Sequence, residues 1–328
     1  MKVLITGGAG FVGTHLAKSL LDDGAEVTIV DNFQRGVKDA AFEEVAARSN
    51  IADVNLLSPT FAQSVSDDHD YVFHLAAIIG VRHVLERPYS VLADNAVMTM
   101  NVIEAARRQR NLKQAIFSST SEIYAGSLVH LPSMHVPTPE TTPIALTDLD
   151  APRTSYLLSK AYGEALFNHS GLPATSVRLH NIYGPRMGMS HVVPELLHKA
   201  HLSKDGDSLV VASVHHRRTF CYVSDAIEMF RGIMNSPATV GKTLNIGNSS
   251  PEVEIDELAR TIAHVVGRDL TITPAPETPG SPARRCPDVS LLTALTGVTG
   301  KVSLEEGVRR TFEWYRENVF SGTGLSAQ

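Results

Sequence analysis

The sequence predicts an α/β protein: a doubly wound, mostly parallel sheet with helices on both faces, joined to a smaller C-terminal lobe. Three observations carry this expectation. Apolar runs at residues 3–6, 27–31, 71–76, 114–118, 174–180 and 243–246 alternate with helix-like stretches, as in strands buried on both faces and linked by crossover helices. The first run leads into a glycine-rich turn, K-V-L-I-T-G-G-A-G-F-V-G. Beyond Gly184 the alternation gives way to Pro-, Gly- and His-containing segments at 185–194 and 274–287, which read as loops of a lobe closing over the sheet. The expected division is a dinucleotide-binding domain at 1–180 with about 220–250, a substrate-binding lobe at 181–219 and 251–320, and a disordered tail at 321–328.

The opening has the makings of a Rossmann-type nucleotide grip. Residues 2–6 form a short buried strand, and the spacing of Phe11, Val12, Leu16 and Leu20 predicts a helix. Gly7, Gly10 and Gly13 fall on the turn between them, where glycine lets the backbone approach a diphosphate and the helix N-terminus offers N–H groups to the anion. Gly8, Gly10 and Gly13 also satisfy a looser G-x-G-x-x-G, a pattern that a turn binding nothing can match as well.

The second strand ends in Asp31, eighteen residues beyond Gly13, where a carboxylate accepts hydrogen bonds from adenosine ribose hydroxyls and repels a 2′-phosphate. NAD is therefore expected over NADP, although Arg35 stands nearby. Asn32 joins Asp31 in the expected cofactor set, and Asp53 and Val54, after a weak third strand, are placed to meet the adenine.

Composition narrows the class. A chain of 328 residues with a formal charge of −6 is large enough for two lobes and lacks the basic balance of a nucleic-acid binder. Cys221 and Cys286 form no metal-like spacing and imply a reduced, cytoplasmic setting. No apolar run reaches the ~18 residues of a membrane span, and the chain enters its first strand with no signal peptide. His191, His215 and His216 lack Cys or carboxylate companions, and adjacent histidines in a strand face opposite ways, so no metal site is expected.

The chemistry is expected at the carboxyl ends of the strands. Tyr156 and Lys160, in S-Y-L-L-S-K, are four apart and share a helix face. A nearby ammonium and a nicotinamide cation both lower a phenol's pKa from about 10. Tyr156 then takes a proton from a sugar hydroxyl as hydride leaves the same carbon, and Thr120, in S-S-T-S-E-I-Y, holds that hydroxyl.

With these pieces the chain resembles the extended short-chain dehydrogenase/reductases, the group of nucleotide-sugar epimerases, dehydratases and decarboxylases. The resemblance spans nearly the whole chain and includes H-L-A-A at 74–77, Asn95, R-L-H-N-I-Y-G-P-R-M at 178–187, R-R-T-F-C-Y-V-S-D at 217–225 and R-R-C-P-D at 284–288. It implies that Leu75, Ala76, Ala77, Asn95 and Ser118 line the NAD site. It also implies that Asn181, Arg218 and Arg285 hold the diphosphate of a nucleotide sugar, a task suited to the guanidinium fork. Ser121, Arg186 and Val193 complete the implied substrate set. The family oxidises the sugar at C4 with a tightly held NAD that later recovers its hydride, and the matching helices, around 91–107 and 155–167, pair as a four-helix bundle in a homodimer.

Glu122 separates the subfamilies. Two residues after Thr120, plain 4-epimerases usually carry a small residue, whereas 4,6-dehydratases and glucuronate decarboxylases carry a glutamate that exchanges a proton at C5 or C6. I-G-V-R-H at 79–83 points instead toward uronate 4-epimerases, with Arg82 facing either a sugar carboxylate or solvent. The chain departs from the family where G-D-G usually precedes the phosphate arginine; it has V-V-A-S-V-H-H-R-R, with Val211, Ser213, His215 and His216 in unusual places. The leading expectation is C4 oxidation followed by dehydration or uronate decarboxylation through Glu122. The alternatives are a 4-epimerase, a catalytically silent dinucleotide sensor, and an NADP reductase of small carbonyl compounds that Asp31 and the arginines disfavour.

Overall fold

The computed structural model describes residues 1–131, 134–146, 148–277 and 281–321, with the side chains of 81 and 82 excepted. In chain order the elements are β1 (Lys2–Thr6), α1 (Phe11–Asp22), β2 (Glu26–Val30), α2 (Ala40–Ala46), β3 (Asn50–Ala52), β4 (Tyr71–His74), α3 (Val81–Glu86), α4 (Pro88–Arg107), β5 (Gln114–Thr120), α5 (Ala125–His130), α6 (Pro152–Asn168) and β6 (Ala174–Leu179). They continue with β7 (Ile182–Tyr183), α7 (Val192–Leu202), β8 (Ser208–Ala212), β9 (Arg217–Arg218), β10 (Cys221–Tyr222), α8 (Val223–Asn235), β11 (Thr243–Ile246), β12 (Val253–Glu254), α9 (Ile255–Val266), β13 (Thr271–Ala275), β14 (Arg284–Arg285), α10 (Ser290–Thr296) and α11 (Leu304–Tyr315).

Two compact units emerge. The first comprises residues 1–123, 146–179 and 230–244; the second comprises 124–145, 180–229 and the chain from 245 onward. Relative to the boundaries expected from sequence, residues 124–145, 180, 220–229 and 245–250 fall in the second unit.

In the first unit the central sheet is seven-stranded, in the order β11-β6-β5-β4-β1-β2-β3. The pairs from β6 through β3 are all parallel, with Leu4 in register between Thr28 and Val72. The chain winds outward from β1 through β2 and β3 on one side, and through β4, β5 and β6 on the other. Between β1 and β4 lies the reversal at which open α/β sheets bind ligands. All four residues of β4 and the first six of β5 are buried, as a sheet covered on both faces requires. The core beneath α4 and α6 is built from Leu4, Val72, Val102, Phe117 and Phe167.

Three strands end earlier than their apolar patterns suggest, β2 by one residue, at Val30. β4 stops at His74 because the next residues cross the glycine turn, with Leu75 N–H donating to the Thr6 carbonyl at 3.1 Å. β6 stops at Leu179, one residue before His180.

The second unit pairs β7 with β10 and β8 with β13, and sets β9 between β12 and β14. The expected loop at 274–287 therefore contains the end of β13 and the whole of β14, and the expected loop at 185–194 runs into α7 at Val192. β13 was hidden because T-I-T-P-A is a mostly exposed edge strand that tolerates Pro274.

Candidate active site

In the first unit, the turn after β1 is tight. Gly7 has φ +74°, and a Cβ on it would stand 2.7 Å from the Ala76 nitrogen. A Cβ on Gly13 would stand 2.2 Å from the Gly7 carbonyl oxygen, so only glycine lets α1 sit down on the turn. Gly10 differs: a Cβ there would meet only that same oxygen, at 3.2 Å, and its other side is open. Gly10 is also the N-cap of α1 and supplies no side-chain cap to the first-turn N–H groups, which belong to Phe11, Val12 and Gly13. An open glycine beside an uncapped helix start fits a diphosphate.

At the end of β2, Asp31 accepts hydrogen bonds from the backbone N–H groups of Ala9, at 3.0 Å, and Phe33, at 2.9 Å. The carboxylate is thus fixed against the turn, with lone pairs left for ribose hydroxyls. Asn32 is exposed and braces its own loop through Gln34 N–H, and Asp53 and Val54 directly follow β3. The residues present fit a dinucleotide with an unphosphorylated adenosine ribose.

Asn95 lies on α4. It is 4% exposed, its Oδ1 accepts from Ile78 N–H at 2.7 Å, and its Nδ2 donates to the Ile78 carbonyl and to Ser159 Oγ. Asn95 therefore holds the 75–78 segment in place and supports the site from behind.

Helix α6 carries Tyr156 and Lys160 against β5. A Cβ on Gly163 would lie 2.3 Å from Phe117 Cζ, so the glycine is what lets the helix approach the strand. Lys160 is 4% exposed; its Nζ donates to the Ser118 carbonyl at 2.7 Å and lies 4.9 Å from the centre of the Phe117 ring. Burial pushes its pKa down to about 7, against the pull of the Glu164 carboxylate. Behind the site His74 bonds Thr6 Oγ1 at 2.8 Å and Thr99 Oγ1 at 3.3 Å; burial and the Lys160 charge push it down to about 3, so the ring is neutral.

Tyr156 is buried, and burial together with the charge of Glu122 raises its pKa, while the Thr120 hydroxyl and the Arg35 guanidinium act to lower it. The Lys160 amine, bonded to the Ser118 carbonyl, also lies 5.9 Å from the centre of the Tyr156 ring. Thr120, at the tip of β5, accepts from Glu122 N–H at 3.2 Å, which sets Glu122 in the short helical turn after the strand. Ser121 is 4% exposed. The structure thus brings Thr120, Glu122, Tyr156 and Lys160 together, and adds Arg35 and Gly163, which the sequence did not single out for this purpose.

In the second unit Asn181 adopts φ +44° and donates from Nδ2 to the Thr219 carbonyl at 2.8 Å, and Arg186 adopts φ +69°. β9 and β14 run parallel with Arg218 in register with Arg285, so two expected phosphate ligands are neighbours across a strand pair. Arg218 is 8% exposed, and its donors are turned to the carbonyls of Arg217, Pro282 and Ala283 and to Ser281 Oγ. As it stands it secures the segment before β14, and binding phosphate requires these donors to be shared. Val193, on α7, is 1% exposed. His215, in the turn between β8 and β9, is exposed and His216 is buried. The Arg82 side chain lies outside the described residues.

A profile of the NAD dependent epimerase/dehydratase family matches residues 3–247. The UDP-N-acetyl-alpha-D-glucosaminuronate decarboxylase of Bacillus cytotoxicus is 35% identical over 96% of this chain and 98% of its own length. The UDP-glucuronic acid decarboxylase 1 of Xenopus tropicalis is 32% identical over 97% of this chain and 73% of its own. Among solved structures, a Thermus thermophilus UDP-glucose 4-epimerase in complex with NAD superposes with a TM-score of 0.80 at 26% identity, covering 97% of this chain and all of that one. With a glycine-rich dinucleotide cradle, a Thr–Tyr–Lys set on β5 and α6, and a profile match over most of its length, the chain is an NAD-dependent enzyme and belongs to the NAD dependent epimerase/dehydratase family.

Proposed function

We propose that this enzyme decarboxylates a nucleotide-diphosphate uronate through a transient 4-keto sugar. The observation that carries the reading is Glu122: its backbone is fixed on Thr120, and its charge acts on the Tyr156 phenol. A plain 4-epimerase has no need of a carboxylate there, because its ketone is only turned over and reduced. The decarboxylase names of the two relatives support the same choice.

NAD, when bound, supplies a hydride acceptor for sugar C4 and later the hydride donor. Tyr156 takes the C4 hydroxyl proton, and Thr120 holds that hydroxyl in line. Lys160, anchored on the Ser118 carbonyl, fixes the helix face that bears Tyr156. A ketone at C4 makes the C6 carboxylate a β-keto acid. The C5–C6 bond breaks, carbon dioxide leaves, and the electron pair passes through C5 into the C4 oxygen. Glu122 manages the proton that returns to C5. Asn181, Arg186, Arg218 and Arg285 hold the substrate diphosphate, with Ser121 and Val193 in the same substrate set, and Arg82 is the residue expected to pair with the uronate carboxylate. On this reading the first unit is the NAD-binding domain and the second the nucleotide-sugar lobe.

The working form is a cytoplasmic homodimer joined through α4 and α6. Exposed Tyr89, Val97 and Met100 on α4 and Tyr162 on α6 support it. No helix among the described residues is long and apolar enough to cross a membrane. Light scattering at micromolar concentration tests the dimer; a mass of 35.5 kDa, that of one chain, would sink it.

Incubation with NAD and a panel of UDP-uronates and UDP-hexoses, read by product mass, tests the reaction. Loss of carbon dioxide from a uronate is expected. Loss of water would make the enzyme a dehydratase; an unchanged mass with a new stereoisomer by NMR would make it a 4-epimerase.

A further inference from the structure

Arg35 lies in the loop that leaves Asp31. That loop is clamped to the glycine-rich turn: Asp31 accepts from Ala9 and Phe33 N–H, and a Cβ on Gly36 would stand 2.5 Å from Ala9 Cβ and 3.1 Å from Asp31 Oδ1. Residue 35 is therefore held at the edge of the dinucleotide cradle. Its guanidinium makes no hydrogen bond or ion pair among the described residues. The side chain is open to water, yet the surrounding protein removes enough hydration to lower its pKa, and its charge reaches the Tyr156 phenol.

Two fixed points define what such a charge would meet. Asp31 marks the adenosine ribose, and Tyr156 marks the site of hydride transfer. Arg35 starts beside the first, and its charge is felt at the second. The anionic part of a dinucleotide between those points is its diphosphate, whereas a 2′-phosphate would lie at the Asp31 carboxylate, which repels it. We infer that Arg35 is a clamp on the cofactor diphosphate, adding a guanidinium fork to the backbone N–H groups of the glycine turn and of α1. Asp31 then sets the choice of NAD over NADP, and Arg35 sets how tightly NAD is held.

Calorimetric titration of nucleotide-free protein with NAD, ADP-ribose, NADP and adenosine, for wild type, R35A and R35K, tests the assignment. R35A is expected to weaken NAD and ADP-ribose by the same factor, about ten- to a hundredfold for a lost charge-assisted contact. Adenosine affinity and the NAD-to-NADP ratio are expected to stay as in wild type. R35K should recover only part of the loss, because an ammonium lacks the fork. Because Arg35 bonds to nothing among the described residues, R35A should melt where wild type does, which separates lost binding from lost folding. NAD affinity unchanged in R35A would overturn the proposal, as would a loss confined to NADP or one that appears only in the KM for a uronate substrate.

Discussion

Glu164 grips Arg178 through both carboxylate oxygens, which accept from Nε at 2.9 Å and from Nη2 at 2.7 Å, with each residue 5% exposed. Glu164 stands one turn beyond Lys160 on α6, and Arg178 lies opposite Ser119 in the β5–β6 register. The pair therefore fastens the helix that bears Tyr156 and Lys160 to the strand next to the one that ends in Thr120. The same carboxylate opposes the burial that lowers the Lys160 pKa.

Removing one partner strands a buried charge. Glu164→Gln should destabilise the protein by about 3 kcal/mol, measured by urea denaturation. Replacing both, as E164L/R178M, should restore most of the loss, because two buried apolar groups need no partner. A single variant as stable as wild type would show that the pair contributes little.

Lys160 gives stability a pH dependence of known sign. Its pKa falls from 10.5 to about 7 on folding, so between those values the unfolded chain binds more protons than the folded one. The contribution is fully present above pH 10.5 and is lost as pH falls to about 7. The amplitude is on the order of 5 kcal/mol, taking each pKa unit as about 1.4 kcal/mol. K160M, which carries no such proton, should be more stable than wild type at pH 7, and the gain should shrink toward pH 10. Parallel stability curves for the two proteins across that range would show the lysine to be solvated.

Tyr156→Phe removes the proton path and leaves the cradle intact. Turnover should fall about 10²- to 10⁴-fold, the weight of a positioned acid–base group, with NAD and substrate dissociation constants near wild type. Because burial and Glu122 hold the phenol above its ordinary pKa, ligand-free protein should show no Tyr156 phenolate in ultraviolet difference spectra near neutrality. Wild-type rates in the phenylalanine variant would remove Tyr156 from the chemistry.

What the sequence revealed depended on how local each signal was. Tyr156 and Lys160 are four apart on one helix, and Gly7, Gly10 and Gly13 lie on one turn, so each set was readable in a short stretch of sequence once its neighbours gave it context. Glu164 and Arg178 meet across fourteen residues and two elements, and nothing at either position announces the other. The site's support was hidden for the same reason: Asn95 acts on Ile78, and Gly163 on Phe117, through contacts that exist only once α4 and α6 are seated. Arg218 was legible as a phosphate arginine, but three of its present partners lie more than sixty residues downstream, so its engagement with 281–283 was not. β14 is two residues long and gave no alternation to detect, yet it places Arg285 beside Arg218.

On the proposed reading, Glu122 decides which reaction follows C4 oxidation. Its backbone hydrogen bond to Thr120 is independent of the side-chain charge, so Glu122→Gln keeps the turn and removes only the carboxylate. Oxidation at C4 needs Tyr156, Thr120 and the cofactor, and all three remain. Mixing E122Q with NAD and a UDP-uronate should therefore give a burst of reduced-nicotinamide absorbance of up to one equivalent, with pentose product slowed about 10²-fold or more. Restoring charge with E122D should recover part of the rate, because the shorter carboxylate still carries a proton. The neighbouring charge is also lost, so the Tyr156 phenol should ionise more readily in E122Q than in wild type, and the alkaline shift of its titration should shrink. Undiminished product in E122Q, with the phenol titrating as before, would make Glu122 a loop carboxylate and return the enzyme to the epimerase reading.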